Sequence, residues 1–171
     1  MGYGDLNTFL DYPETECVAL CDVDDEWLNK RAADVEKKTG KKVPHLYKDW
    51  RRVIDNKDVD VVIIGTPDHW HCLPTVWACQ AGKDVYVEKP LSNTIEECNL
   101  MEKAARKYNR IVQVGQWQRS DPHWDEAANF LKVGNIGRIR TVKVWAYQDA
   151  SRHFRLNRIV TLPPVWITIC G

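Results

Sequence analysis

Short apolar segments alternate with helical segments along most of this chain, and that alternation limits the folds open to it. Strands are predicted at 16–22, 43–47, 61–66, 85–88 and 111–115. The helices between them have recognisable ends: Asp24 or Asp25 can cap one helix, Gly40 can close it, and Thr94 can open another. Strands that are joined through helices form right-handed crossovers and pair in parallel. The pattern therefore predicts an α/β fold built on a parallel sheet.

Ionisable residues follow two of the predicted strands at the point where each strand ends. The strand over 61–66 runs into Thr-Pro-Asp-His-Trp-His at 66–71, and the strand over 85–88 runs into Glu88, Lys89 and Pro90. In open α/β folds, ligands bind beyond the carboxyl ends of the strands. Because Lys89 stands beside an acid and before a proline that stiffens the main chain, we expect it to act on a bound ligand.

Composition excludes several classes of partner. The 171 residues carry 24 basic and 24 acidic side chains, so no positive field attracts nucleic acid or an anionic membrane. No apolar run is long enough to span a membrane, and no signal peptide opens the chain. We expect a soluble protein, cytoplasmic by default, and any targeting segment would precede Met1.

The chain has six cysteines, but no Cys-x-x-Cys pair and no Cys/His spacing that suits zinc. We therefore predict buried, reduced thiols and no metal site.

The pattern changes after Gly115. A helix is predicted over 122–133 and a turn over 134–137, followed by alternating polar and apolar residues at 138–147 that indicate a strand with one wet face. We predict three regions: an α/β domain at 1–120, the start of an antiparallel-sheet domain at 121–150, and a tail at 151–171.

Four segments together resemble the glucose-fructose oxidoreductase, inositol dehydrogenase and MocA (Gfo/Idh/MocA) family over about residues 1 to 148. They are Cys-Asp-Val-Asp at 21–24, Gly-Thr-Pro-Asp-His-Trp-His at 65–71, Ala-Gly-Lys-Asp-Val-Tyr-Val-Glu-Lys-Pro at 81–90 and Val-Gly-Gln-Trp-Gln-Arg at 114–119. The resemblance implies a Rossmann domain followed by an open antiparallel sheet, NAD as cofactor, and a sugar, inositol or similar polyol as substrate. It also implies a homo-oligomer formed through the sheet domain in the full-length form.

The resemblance assigns roles to individual residues. Asp22 matches the acid that holds the adenosine ribose hydroxyls, and the lack of Arg or Lys just after it favours NAD over NADP. Thr66, Pro67 and His71 match the segment that lines the cofactor near its nicotinamide. Glu88 and Lys89 match the pair that contacts the nicotinamide ribose and the substrate, and Lys89 is the predicted catalytic residue. Gln116 and Arg119 match the stretch that closes the pocket.

Simpler interpretations stand beside these roles. Asp22 could do no more than cap a helix, and His71 could do no more than occupy the first turn of its helix. A lysine such as Lys89 is usually a solvated charge.

The chain departs from the family pattern at both ends. Of the Gly-x-Gly-x-x-Gly segment that receives a pyrophosphate, it holds only Gly2, which matches the third glycine, so we predict a sheet that lacks its first strand. Asp149 and His153 have the spacing of the family's second catalytic motif but not its context, and we interpret them as a chance match. From about Arg155 the resemblance ends, and a shifted reading frame restores family-like residues, which suggests a frameshifted or misassembled reading frame.

The sequence thus predicts an NAD-dependent oxidoreductase, truncated at both ends, that transfers a hydride between nicotinamide and a hydroxyl carbon. Three alternatives stay open: an NAD-dependent glycosidase without net redox change, a regulatory member that binds NAD without turnover, and an inert fragment.

Overall fold

The computed structural model describes residues 2–144 in full and residues 166–170 as a main-chain strand. Within these ranges, six strands form one sheet in the order β2-β1-β6-β3-β4-β5. The strands are β1 (Ala19–Asp22), β2 (His45–Tyr47), β3 (Val61–Gly65), β4 (Asp84–Glu88), β5 (Val112–Gly115) and β6 (Trp166–Cys170). The pairs β1–β2, β3–β4 and β4–β5 are parallel, as the sequence predicted.

Helices alternate with the strands, as the sequence predicted. They are α1 (Gly2–Phe9), α2 (Asp25–Thr39), α3 (Trp50–Asp55), α4 (Cys72–Gln80), α5 (Ile95–Lys107) and α6 (Pro122–Lys132).

Capping residues fix the ends of α2 and the start of α5. Asp24 caps α2 by accepting from the main-chain N–H groups of Glu26 and Trp27, and Gly40 ends it at a φ of 73°. Thr94 accepts from the N–H of Glu97 at the start of α5. The carboxylate of Glu97 accepts from the Ser92 hydroxyl instead of completing a capping box.

Helices cover both faces of the sheet. Successive strand residues point to opposite faces, so Ile63 packs with Leu6 of α1 and Leu28 of α2, whereas Ile64 packs in the cluster that includes Met101 of α5. Strands buried on both faces are expected where parallel strands are joined by helices. This arrangement confirms the predicted Rossmann-like α/β class.

The position of the missing first strand is filled. The strand β6 lies between β1 and β3 and runs antiparallel to both, with Thr168 opposite both Leu20 and Ile63. We predicted a sheet that lacks its first strand. A strand from the C-terminal tail pairs with β1 and β3 at that position.

The chain forms two compact units. The first comprises the residues up to Gly115 together with β6, and the second begins at Gln116. In the second unit, α6 and a turn between Gly134 and Gly137 form as predicted. The strand predicted at 138–147 is not present over 138–144, and the remainder lies outside the described residues. An isolated strand has no partner for its main-chain hydrogen bonds, so the alternating pattern alone does not form a strand here.

The described cysteines are free thiols: Cys17, Cys21, Cys72 and Cys79 are buried and Cys98 is partly exposed. Burial raises the pKa of Cys21 to about 12. Among the residues with described structure, no helix combines the length and the apolar character that a membrane span needs.

Candidate functional site

The ends of four parallel strands lie in one row across the sheet. Asp22 and Gly65 both pair with the first residue of β6, and Glu88 pairs with Gly115. The register of β3 and β4 places Gly65 level with Glu88. Because neighbouring strands lie about 4.8 Å apart, the predicted site residues of β1, β3 and β4 share one edge of the sheet.

Asp22 carries an unused acceptor at this edge. The residue is 1% exposed. Its Oδ1 accepts from the N–H of Asp24 at 2.8 Å, whereas its Oδ2 is buried and has no hydrogen-bond partner among the described residues. Burial raises the pKa of Asp22 to about 6. Asp24, not Asp22, caps α2, so the simple capping interpretation of Asp22 does not apply.

Thr66 follows β3 and carries a second unused polar atom. Thr66 is 6% exposed, and its Oγ1 is buried without a hydrogen-bond partner in the described part of the chain. Two such groups on one sheet edge are unusual, because buried polar atoms are nearly always paired. Pro67 follows at partial exposure and precedes a short 3-10 turn at Asp68–Trp70.

Gly2 packs directly against the end of β3. A Cβ atom added to Gly65 would lie 2.5 Å from the Cα of Gly2 and 2.7 Å from its nitrogen. This distance is possible only because Gly65 has no side chain. Gly2 therefore makes a close helix-to-strand contact, and its part in binding a cofactor stays a prediction.

His71 lies beneath this edge, not on its surface. The residue is 1% exposed. Its Nδ1 lies 2.7 Å from the carbonyl oxygen of Pro90 and its Nε2 lies 2.8 Å from that of Thr66. The ring nitrogens contact the main chain of two different segments, and contact of His71 with a cofactor stays a prediction.

Glu88 and Lys89 differ in exposure although they are consecutive. Glu88 is 4% exposed, and its Oε2 accepts from the N–H of Lys89 at 3.1 Å. A Cβ atom on Gly115 would lie 2.6 Å from Glu88 Oε1, so that glycine leaves room for the carboxylate. Lys89 itself is exposed.

Asp5 is a site residue that the sequence analysis missed. It lies on the first turn of α1, and its Oδ2 is buried without a partner among the described residues. Burial, followed by the charge of Glu88, raises the pKa of Asp5 to about 6. An acid in the first turn of a helix is ordinarily explained by the helix dipole, so no local pattern indicates that Asp5 would meet Glu88.

Gln116 and Arg119 lie outside this unit. Both are exposed, and they belong to the second unit, where Gln116 precedes a 3-10 turn at Trp117–Ser120. Their predicted role in closing the pocket stays a prediction. Within the fully described residues, no cluster of three His, Cys, Asp or Glu side chains could hold a metal ion.

The fold and this sheet edge define the chain as a Rossmann-type nucleotide-binding protein. The family model for the Gfo/Idh/MocA oxidoreductases, described as an oxidoreductase family with an NAD-binding Rossmann fold, matches residues 1–116. The chain belongs to this family.

Individual relatives agree with that assignment. Levoglucosan dehydrogenase of Pseudarthrobacter phenanthrenivorans is 38% identical over 103 residues, which cover 60% of this chain and 26% of the relative. The 1-carboxy-3-chloro-3,4-dihydroxycyclohexa-1,5-diene dehydrogenase of Comamonas testosteroni is 32% identical over 144 residues, which cover 84% of this chain and 35% of the relative.

A solved structure extends the comparison to a bound cofactor. Scyllo-inositol dehydrogenase of Lactobacillus casei, with NAD(H) and scyllo-inositol bound, matches 70% of this chain and 34% of its own chain at a TM-score of 0.61 and 25% identity. The present chain thus spans only a quarter to a third of the length of these relatives.

Proposed function

We propose that this chain carries the NAD-binding part of an oxidoreductase that transfers a hydride between nicotinamide and a hydroxyl carbon of a sugar, inositol or similar polyol. The observation that carries the proposal is a pair of buried polar atoms on one sheet edge, Asp22 Oδ2 and Thr66 Oγ1, that have no hydrogen-bond partner within residues 2–144. A ligand rich in hydroxyl groups would satisfy both atoms, because it can donate to the carboxylate and exchange a hydrogen bond with the threonine.

Asp22 fits the adenosine ribose of the cofactor. An ionised carboxylate that already accepts one main-chain N–H keeps its second oxygen free for a ribose hydroxyl. Val23, Asp24 and Asp25 follow it, and none of them can neutralise the extra phosphate of NADP. The acidic pair at 24 and 25 would repel that phosphate, which supports NAD.

Lys89 fits the role of the polar group beside the reacting carbon. NAD supplies a hydride acceptor when it is bound. The exposed ammonium of Lys89 can hydrogen-bond the substrate hydroxyl and stabilise developing alkoxide charge. The buried carboxylate of Glu88 holds the main chain at that position, so the lysine projects from a fixed point.

Relatives guide the choice of substrate class. They include levoglucosan dehydrogenase and scyllo-inositol dehydrogenase, whose names refer to compounds with several hydroxyl groups. We therefore propose a polyhydroxylated ring as the substrate of the whole protein.

Binding of NADH, followed by its fluorescence, tests the cofactor half of the proposal. Replacing Asp22 with Asn removes the charged acceptor and should weaken binding by about tenfold to a hundredfold, the range for a hydrogen bond to a charged group. The matched control is Asp25→Asn, which removes an exposed carboxylate from the same segment. Equal affinities for the Asp22 and Asp25 variants would contradict the assignment of Asp22.

Turnover tests the other half. The chain is incubated with NAD and a panel of inositols and sugars while the absorbance of reduced nicotinamide is followed. Formation of NADH with at least one polyol, abolished by Lys89→Met, is the expected result. Binding of NAD without NADH formation on any polyol would favour a regulatory member of the family.

A further inference from the structure

The imidazole of His71 links two segments that are far apart in sequence. Its Nε2 contacts the carbonyl oxygen of Thr66, which follows β3, and its Nδ1 contacts that of Pro90, which follows β4. Both contacts are shorter than 2.9 Å in a fully buried residue. Carbonyl oxygens only accept, so each contact is a hydrogen bond where the ring nitrogen concerned carries a proton.

Helix α4 holds the ring in place. The N–H of His71 donates to the carbonyl of Asp68 at 3.2 Å, and its own carbonyl accepts from the Thr75 hydroxyl at 2.7 Å. His71 is therefore held by its main chain as well as by the two nitrogens of its ring.

The contact with Pro90 acts on the neighbouring lysine. Lys89 lies between two anchored points: its own N–H donates to Glu88 Oε2 at 3.1 Å, and the carbonyl of the next residue faces His71 Nδ1 at 2.7 Å. Lys89 is exposed, so these main-chain contacts, not side-chain packing, fix the position of the Cα atom from which its side chain extends.

We infer that His71 is a positioning residue, which ties the segment after β3 to the segment after β4 and so fixes the main chain that carries Lys89. The consequence for catalysis rests on the function proposed above for Lys89. The mechanical link between His71 and Lys89 does not rest on it, and can be measured without cofactor.

Single substitutions separate the two contacts. Asparagine places an amide N–H near the position of Nδ1 and keeps the contact with Pro90, whereas glutamine places one near Nε2 and keeps the contact with Thr66. Phenylalanine keeps the ring and loses both contacts. His69→Asn is the control, because His69 is exposed and belongs to the same segment.

Amide hydrogen exchange, measured by NMR without cofactor, gives the readout. In His71→Phe the Lys89 amide should exchange about tenfold faster, as expected for the loss of a hydrogen bond that restrains its segment, while the Ile64 amide in the sheet is unchanged. His71→Asn should stay close to the wild type, and His71→Gln should resemble His71→Phe. His69→Asn should change neither amide.

Several outcomes would overturn the inference. One is an unchanged exchange rate of the Lys89 amide in a folded His71→Phe protein, and another is an equal effect of the Asn and Gln substitutions on that rate. A third is an equal rise in the exchange rate of the Ile64 amide, which would mean a general loosening of the fold. If the Phe variant does not fold, the comparison of Asn with Gln decides. If those two variants also fail to fold, His71 is a structural core residue and the positioning role is overturned.

Kinetics then separate this inference from the proposed function. In the active protein, His71→Gln should lower kcat and leave the KM for NAD nearly unchanged, because it displaces a group that acts in the transition state. If the wild type neither binds NAD nor forms NADH, the proposed function fails while the exchange result still decides the link between His71 and Lys89.

Discussion

Gly2 and Gly65 lie in direct main-chain contact, so close that a Cβ atom on Gly65 would stand 2.5 Å from the Cα of Gly2. This contact joins the start of α1 to the end of β3. It brings the first helix of the unit to the sheet edge that carries Asp22, Thr66 and Glu88.

Gly65→Ala should therefore destabilise the protein by about 1–3 kcal/mol, the usual cost of overpacking against main-chain atoms that cannot rotate away. Urea denaturation measures the change in the free energy of unfolding. Gly4→Ala is the control: a Cβ atom there meets nothing within 4 Å, and alanine in a helix should be neutral or slightly stabilising. Equal stability of the two variants would contradict the tight contact.

Lys83 is a buried cation at the opposite end of β4, and its removal should also be costly. It is 6% exposed, and its Nζ donates to the carbonyl oxygens of Asn56 and Val59 at 2.6 and 2.7 Å. Burial lowers the pKa of Lys83. Lys83→Met leaves both oxygens unpaired, so we expect a loss of about 3 kcal/mol. The exposed Lys57→Met control should change the free energy of unfolding by less than about 0.5 kcal/mol.

Asp5 should make stability fall as the pH rises. Its pKa is raised from 3.8 to about 6 in the folded protein, so between these values the folded state holds a proton that the unfolded chain has released. Lowering the pH through 6 therefore favours folding. Above 6 both states are ionised, and the folded state bears the full cost of a carboxylate near Glu88.

Asp5→Asn removes that cost. We expect the variant to be more stable than the wild type at about pH 8, by about 1 kcal/mol or less because Asp5 is partly exposed. The difference should vanish near pH 4, as thermal unfolding across the pH range would measure. The exposed Glu14→Gln serves as control. A gain in stability that is independent of pH would argue against a raised pKa of Asp5.

The antiparallel strand β6 should be essential to the sheet. Thr168 lies opposite Leu20 of β1 and Ile63 of β3, so Thr168→Pro removes a main-chain donor from a strand with a partner on each side. We expect a loss of about 3 kcal/mol or more and faster amide exchange at Leu20 and Ile63. Thr168→Val keeps the main-chain donor and a β-branched residue, so it should keep the stability and the slow amide exchange of the wild type. Unchanged exchange in the proline variant would show that β1 and β3 do not depend on β6.

Local patterns in the sequence were sufficient for most elements of the first unit. The caps Asp24 and Thr94 and the apolar runs at β1, β3 and β4 act through neighbours a few residues away, so their effects can be predicted without a structure. Asp22 and Glu88 end parallel strands and Thr66 directly follows one, and that position alone places them on one edge of the sheet.

Contacts between distant residues could not be predicted in the same way. The approach of Asp5 to Glu88, the pairing of residues 166–170 between β1 and β3, and the two carbonyl oxygens that face His71 all depend on where separate segments meet in space. Over 138–144 the alternating pattern failed for the same reason, since a strand needs a partner as well as a sequence.

By itself, then, the sequence determined the α/β class, the parallel pairing of strands joined through helices and the edge at which Asp22, Glu88 and Lys89 stand, because these follow from local hydrophobic patterns and from the rule for parallel crossovers. Only the tertiary structure decided which strand fills the centre of the sheet and which side chains are buried beneath its edge. Burial and main-chain pairing join residues far apart in the chain, and they turn His71 from a residue at the start of a helix into a link between two segments of the site.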